Sequence, residues 1–452
     1  MTIALARSAA EPAWPFYPEL LATPVPRYTS YPTAAEFVEG FDGEALGTAL
    51  DHVSADAPVS LYLHIPYCRE ICWYCGCNTG AANRSTRLNA YLESLLREIA
   101  LVGARLDGRG RIRRIAFGGG SPNAIAPQQF DALVEALTRH FTLDDPVLSV
   151  EIDPRGFGSD WAETLRRNRV TRASLGVQTL APRLQAAIGR VQPVETIRRA
   201  TQLLRGAGLD SINFDLMYGL PGQTARDLLE TLDESVAMAP DRLAVFGYAH
   251  VPHLIPRQRR IDATALPDAS ARFRQAALAH DRLIDHGFVP VGFDHFARPG
   301  DALAEAAASG ALRRNFQGFT EDQAEILIGL GASAISTFPD RLLQNEKNAG
   351  RYRERIAAGA LPVNKGVIRD AEDRLRGTVI ERLLTTGRAE LPRAIDLAPE
   401  IARVERFEAR GLVRVEDDFI ELLPQALPYA RTIAAVFDRY RQASVSRFSS
   451  AI

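Results

Sequence analysis

"LYLHIPYCREICWYCGCNTG", Leu61 to Gly80, carries all four cysteines of a 452-residue chain within ten positions. The apolar alternation of Leu61, Leu63 and Ile65 reads as a strand that runs into them. The spacing C-x3-C-x2-C-x-C then puts Cys68, Cys72, Cys75 and Cys77 in the loop that leaves it. Thiols gathered in one loop of a long chain suit metal or redox chemistry better than a disulfide framework. Thioredoxin-type chemistry would put C-x-x-C at a helix start, without a third thiol just upstream. A structural zinc would draw its other ligands from a distant segment, and only histidines could supply them here. Three thiolates at 3 + 2 spacing suit a cubane iron–sulfur cluster with one iron left open. On spacing alone, the cluster leads and zinc stays the alternative.

Working outward, short β-rich runs alternate with stretches of helical period. The runs are "SLYLHIPY", "RIAFGGGS", "LSVEIDP", "RASLGVQ", "INFDLMYG" and "RLAVFGYAH". Between the first two, Leu88, Tyr91, Leu92, Leu95, Leu96 and Ile99 form one helical stripe, with Ser85 or Thr86 as its expected cap. Six βα alternations predict an α/β fold, a partial (β/α)6 barrel with helices outside. Residues 1–45 read as an arm or lid, 46–370 as the barrel and its extension, and 371–452 as a small, mainly helical C-terminal domain. In that last part, two helices precede a ribbon turning at Glu416–Asp418, the order of a winged helix, and a final helix is expected from Pro428 to Ala443.

With 53 basic and 55 acidic residues the formal charge is −2, which gives no reason to expect nucleic acid or anionic lipid as a partner. No apolar run approaches the ~20 residues that span a bilayer, so the expectation is a cytoplasmic protein.

Unusual residues fall at strand ends, where barrel chemistry sits. "FGGGSP", Phe117–Pro122, ends the second run with bare backbone that a ligand can approach. In "LSVEIDP", Leu148, Val150 and Ile152 share one strand face, which leaves Ser149, Glu151 and Asp153 on the other. By the same alternation Gln178 opposes Leu175 and Val177, and Asp215 opposes Phe214 and Leu216. Glu151, Gln178 and Asp215 thus converge as a polar constellation suited to ribose hydroxyls or an ammonium. His64, His250 and His295 read as structural hydrogen-bonding groups. Arg259, Arg260, Arg313 and Arg314 could grip substrate carboxylates or simply face solvent.

C-x3-C-x2-C after the first strand resembles the radical S-adenosylmethionine superfamily. The ordered segments "PRYTSYPTA", "CWYCGCN", "GGGSP", "VEIDPR", "SLGVQ", "GRVQ", "NFDLMYGLPGQT", "VFGYAHVP", "DHFARP", "NFQGFT" and "GLGASAIS" resemble, more closely, the oxygen-independent coproporphyrinogen III oxidase family. The match is continuous from about Pro26 to Asn345 and extends more weakly through the C-terminal region. It implies a [4Fe–4S] cluster on Cys68, Cys72 and Cys75, with Cys77 not a ligand, and two S-adenosylmethionine molecules. The first would lie against Tyr62, Tyr74, Gly119, Glu151 and Ile335. The second would lie against Gly120, Ser121, Gln178, Arg190, Asp215 and Ala249. Of these, Glu151, Arg190 and Asp215 join the cysteines as the expected catalytic set, with Phe316 and Gln317 near the active site. The implied reaction converts two propionates of a tetrapyrrole, coproporphyrinogen III, to vinyl groups, with an unidentified electron donor; the arm, read as a lid over the pocket, argues for a monomer.

Three features depart from the family pattern. Ser121 replaces threonine, Gly189 replaces the asparagine before Arg190, and residues 381–397 fit the family's C-terminal domain poorly. Related alternatives are a two-cofactor methyltransferase and a haem-trafficking protein. The latter generally lacks the fourth cysteine, the arm and the "GRVQ" segment that this chain has.

Overall fold

The computed structural model describes residues 14–82 and 85–441. The six runs form six parallel strands, each beside its predecessor: β1 (Pro58–Ile65), β2 (Arg111–Gly119), β3 (Leu143–Ile152), β4 (Arg172–Gln178), β5 (Ser211–Tyr218) and β6 (Arg242–Gly247). Helices cross between them, among them α1 (Ser85–Leu106), α2 (Pro127–His140), α3 (Ser159–Arg167), α4 (Val194–Gly206) and α5 (Ala225–Ala237). The sheet continues at one edge into β7 (His295–Ala297), antiparallel to β6. At the other edge β8 (Ile326–Leu330) runs parallel to β1 and leads into the antiparallel β9 (Ile335–Phe338), β10 (Arg341–Asn345) and β11 (Val363–Ile368). The expected partial barrel is therefore present.

The stripe on α1 does what its period requires. Leu88, Tyr91, Leu92, Leu95 and Ile99 are buried and Leu96 is half-buried. Burying each such side chain stabilises the fold by about 1.5–3 kcal/mol. Ser85 and Thr86 lie within the helix and so are not its cap; residues 83 and 84 lie outside the described residues. The stripe also carries Glu98, fully buried, which accepts hydrogen bonds from Tyr352 Oη (2.6 Å), Gly331 N (2.7 Å) and Asn345 Nδ2 (2.8 Å). Those donors moderate the effect of burial, which still raises the carboxyl to about 7. Glu98 thereby ties α1 to the loop between β8 and β9.

A hairpin, Arg313–Asn315 with Gly318–Thr320, reaches across the barrel. Behind it Glu321 and Asp322 meet the amino ends of the strands. Arg114 reaches Glu321 at 2.8 Å, Arg172 pairs with Glu321, and Ser60 donates to Asp322. Arg242 completes the floor at 2.8 Å from Asp301. Burial would raise the Glu321 carboxyl, but Arg242, Arg114 and Arg172 hold it at about 2. Its contribution to stability is therefore complete above the ordinary glutamate range and lost as the pH falls toward 2. Glu321→Gln leaves the buried guanidinium groups without their carboxylate, and the expected loss is about 3–5 kcal/mol. Equilibrium denaturation of parent and variant at neutral pH checks this; equal midpoints would show that the floor is dispensable.

The C-terminal segment has helix α6 (Ala371–Thr385), a strand Arg388–Glu390, helix α7 (Ala398–Glu408) and the ribbon Val413–Glu416 and Phe419–Leu422. The ribbon turns as expected but gains Arg388–Glu390 as a third strand. The expected long final helix is not formed. A 3₁₀ turn, Pro424–Tyr429, takes its start and contains Pro428, and only Ala430–Ala434 is α-helical; residues 442 and 443 lie outside the described residues. The reason is tertiary. Tyr429 Oη donates to Pro15 O and accepts from Tyr17 N, while Asp438 accepts from Tyr28 Oη. The N-terminal arm thus lies against this segment, with Trp14 and Phe16 on Phe273. Among the described residues no helix is long and apolar enough to cross a membrane.

Candidate active site

The strand register aligns one row of inward groups. Tyr62 lies beside Ala116, Ala116 beside Ser149, Glu151 beside Ser174, and Gly176 beside Asp215. Leu61, Leu63, Leu148, Val150, Leu175, Phe214 and Leu216 point the other way and are buried. The polar row encloses a cavity of about 350 Å3, lined by Ser149, Glu151, Ser174, Asn213, Asp215 and His295 among others. Glu151 also borders a second space of about 560 Å3 at the carboxyl ends, with Tyr62, His64, Cys77, Gly119 and Phe316. Glu151 therefore stands where the barrel interior meets its mouth.

Its carboxylate accepts from Gly119 N at 3.3 Å. A Cβ on Gly118 would come within 2.6 Å of Glu151 Oε1, and one on Gly120 within 2.5 Å of Tyr67 O. The bare backbone of "GGG" is needed to admit that carboxylate and the cysteine loop together. Glu151 is exposed to the cavity but enclosed by the barrel, and that enclosure, then the charge of Asp215, raises its carboxyl to about 7. Asp215 is itself raised by burial, against hydrogen bonds from Ser174 Oγ and Asn213 Nδ2, each 2.9 Å. Two carboxyls at one cavity favour a cationic or hydroxyl-rich guest.

The cysteine loop is anchored on several sides. Tyr67–Cys68 pairs with Gly80–Ala81, Trp73 N donates to Ile188 O (3.0 Å), and Gln258 Nε2 donates to Tyr74 O (2.9 Å). Cys72 is buried, Cys68 and Cys75 are half-buried, and Cys77 is exposed. Burial, then the charges of Cys75 and Cys72, raises the Cys68 thiol to about 12, so the three thiols feel one another. Among the described residues no three His, Cys, Asp or Glu side chains already stand in metal-ligating geometry. The donor chemistry nevertheless fits an iron–sulfur cluster. Arg190 Nη1 lies 3.2 Å and Arg155 Nη2 3.5 Å from Cys72 Sγ, an electropositive surround that suits a thiolate.

Arg190 is buried. Its Nη2 donates to Gly176 O (2.6 Å) and lies 3.4 Å from Asp153, while Nε is buried with no partner. Gly189 does not loosen it. Its φ is +64°, and a Cβ there would lie 2.6 Å from the Trp73 ring, so glycine lets the cysteine loop pack down on this turn.

The other expected residues divide. Gln178 sits at φ +67° where the β4–β5 register shifts, its amide near Gly176 and Arg190. Ala249 O accepts from Gln258 Nε2, which links it to Tyr74. Tyr74 itself packs with Trp73 beside Leu184, Ile188 and Tyr248 rather than lining either space. Ile335 opens β9, and its pairing partner Gln344 lines the mouth with Ser333. Ser121 turns its hydroxyl to Asn123 (2.8 Å), which also accepts from Asp153 N and so ties β2 to β3. Phe316 and Gln317 ride the hairpin tip to the two spaces. Arg313 pairs with Glu381, and Arg314 donates to Arg27 O. His250 and His295 bond Tyr248 and Asp294. Missed by the sequence reading were Glu98, an acidic residue at a stripe position, and the Asp153–Arg155 pair beside Cys72.

Residues 62–234 match the Radical SAM superfamily. An oxygen-independent coproporphyrinogen III oxidase of Bradyrhizobium diazoefficiens is 42% identical over 427 residues, 92% of this chain and 94% of that one. The chain belongs to the oxygen-independent coproporphyrinogen III oxidase family. Its relative of that name in Pseudomonas aeruginosa is 38% identical over 92% of this chain and 93% of its own. The solved structure of coproporphyrinogen III oxidase from Escherichia coli, described as a radical SAM enzyme, superposes with a TM-score of 0.89 at 33% identity, covering 95% of this chain and all of that one. The relatives cover 92% of this chain and the solved structure 95%, so the likeness takes in the C-terminal region, with residues 381–397 included in the shared fold.

Proposed function

We propose that this chain oxidatively decarboxylates two propionate side chains of coproporphyrinogen III, anaerobically, to give the vinyl groups of protoporphyrinogen IX. The observation that carries the reading is likeness to relatives of that name across nearly the whole of both chains. When bound, a [4Fe–4S] cluster and S-adenosylmethionine supply a 5′-deoxyadenosyl radical for removing hydrogen from the propionate.

In this reading Cys68, Cys72 and Cys75 hold the cluster, while Arg155 and Arg190 offset thiolate charge at Cys72. Cys77, exposed and with its carbonyl near Arg257, stays outside it. One S-adenosylmethionine lies against Tyr62, Gly119, Glu151 and Ile335, while Tyr74, which lines neither space, supports the cysteine loop. A second uses Gly120, Ser121, Gln178, Arg190, Asp215 and Ala249. Two carboxyls, on β3 and β5, and one buried arginine nitrogen without a partner support two guests rather than one. The hairpin and the charged floor exclude water from below, and the arm, folded on its own chain, supports a monomer.

The reading is tested by anaerobic incubation of reconstituted protein with coproporphyrinogen III, S-adenosylmethionine and dithionite, with products weighed by mass spectrometry. Vinyl products with carbon dioxide, methionine and 5′-deoxyadenosine are expected. Formation of 5′-deoxyadenosine without vinyl product would retain the barrel chemistry and remove the substrate.

Glu151 adds a pH signature. With its carboxyl at about 7, the ionised fraction grows as the pH rises. Equilibrium binding of S-adenosylmethionine should strengthen several-fold between about pH 6 and 7.5. Glu151→Gln should bind more weakly and lose that dependence. A variant that keeps the parent's slope would assign the titration to another group.

A further inference from the structure

Glu98 lines neither space of the barrel; it is fully buried on α1, and its three hydrogen-bond donors are all neutral. Burying an acid without a cation is costly, so what it holds matters. It holds the loop from Gly331 to Ala334, between β8 and β9. Its Oε2 accepts from Gly331 N and its Oε1 from Asn345 Nδ2, and the same Asn345 amide donates to Gly331 O at 3.0 Å. A second residue of α1, Tyr91, accepts from Ala332 N at 3.0 Å and donates to His64 O at 2.7 Å. The loop is drawn in closely. A Cβ on Gly331, at φ +99°, would lie 2.5 Å from His64 O and 2.6 Å from Tyr91 Oη. Two residues on, Ser333 takes φ +65°, a left-handed conformation that a residue with a side chain rarely adopts. Ser333 lines the space at the mouth, and Gln344 of β10 donates to its carbonyl at 3.2 Å. Glu98 on one side and the mouth on the other thus share one short loop.

A strained turn keeps its shape only where its surroundings over-determine it. We propose that Glu98 is a positioning residue for S-adenosylmethionine binding: with Tyr91 and Asn345 it fixes the loop Gly331–Ala334, and through it the wall that Ser333, Ile335 and Gln344 give the mouth. The inference rests on the proposed S-adenosylmethionine site beside Glu151. A carboxylate suits the position because both of its oxygens accept. A glutamine amide of the same shape would set its NH2 against Gly331 N in one orientation and against Asn345 Nδ2 in the other. Turning Asn345 over to relieve the second conflict would set its oxygen against Gly331 O. Either way the loop loses an attachment. The Tyr352 hydroxyl, by contrast, reaches Glu98 from the helix Ala349–Ala357. Removing it strips a donor from the carboxyl and leaves the loop's own bonds in place.

The test reads binding and local opening in the full-length protein. Glu98→Gln, reconstituted with iron and sulfide, should keep the parent's iron content and bind S-adenosylmethionine roughly tenfold more weakly in equilibrium dialysis. Before reconstitution, hydrogen–deuterium exchange should be roughly tenfold faster in its peptide spanning residues 329–336. Tyr352→Phe should melt at a lower temperature, because a buried carboxyl has lost a donor, yet bind within about twofold of the parent. Tyr91→Phe frees Ala332 N from the other side and should weaken binding as Glu98→Gln does; it carries the test if the glutamine variant fails to fold. Parental affinity in Glu98→Gln or in Tyr91→Phe, or an equal loss in Tyr352→Phe, would overturn the positioning role. Affinity lost in Glu151→Gln but kept in Glu98→Gln would leave the proposed site standing and remove Glu98 from its support. A parent that binds S-adenosylmethionine but makes no vinyl product would count against the proposed reaction and not against Glu98.

Discussion

Cys72→Ala, reconstituted anaerobically, is expected to retain its fold and lose nearly all its iron and all radical chemistry. Cys72 is the buried member of the loop and the thiol that two guanidinium groups face. Alanine removes a ligand without adding bulk, and the surrounding anchors, Trp73 N to Ile188 O and Gln258 to Tyr74 O, use main chain that the change leaves in place. Cys68→Ala and Cys75→Ala should behave alike. Cys77→Ala should keep its iron, because that side chain is exposed and its backbone N–H, 3.4 Å from Cys75 Sγ, survives the substitution. Iron and sulfide analysis with circular dichroism on all four variants decides the matter. A full complement of iron in Cys72→Ala, or loss confined to Cys77→Ala, would reverse the assignment.

The second large effect is expected at Arg190. Its guanidinium spans Cys72 Sγ, Gly176 O and Asp153 with a rigid fork that a lysine ammonium cannot copy. Asp153 keeps its pair with Arg155 at 2.6 Å, so Arg190→Lys should fold and carry its cluster. If that fork also clamps the methionyl carboxylate of the proposed second S-adenosylmethionine, losing the charged hydrogen bond costs about 1.5–3 kcal/mol, hence roughly ten- to a hundredfold in affinity for it. Calorimetric stoichiometry should fall from two equivalents toward one under conditions that saturate the parent. Two equivalents bound as tightly as before would place the second site elsewhere.

The strands and their inward polar residues were legible because a period of two survives in β1, β3, β4 and β5. Glu151 and Asp215 interrupt nothing; they occupy the face opposite their apolar neighbours, and the register then sets them beside Ser174 and Gly176. Glu98 was not legible for the complementary reason. It sits on a helical stripe that its neighbours already explain, and its partners, Gly331, Asn345 and Tyr352, are more than 230 positions away. Gly189 read as a loss against the asparagine pattern, since only the packed Trp73 ring shows that no Cβ fits. The final helix was overpredicted from local period, where aromatic and hydroxyl contacts from the arm decide the backbone. Tyr74 and Ser121 sit near the right elements but face neighbours that no spacing rule identifies.

The floor of the barrel carries a further consequence, for synthesis on the ribosome. All six barrel strands end by Gly247, yet the Glu321 and Asp322 that close them from below come some 75 residues later (322 − 247). At about 5–20 residues per second, roughly 4–15 s pass before Arg114 and Arg172 can meet their carboxylate partner, Glu321. Translation speed between these two points therefore sets how long a half-made barrel stays open to chaperones, to other nascent chains and to mispairing at its edges.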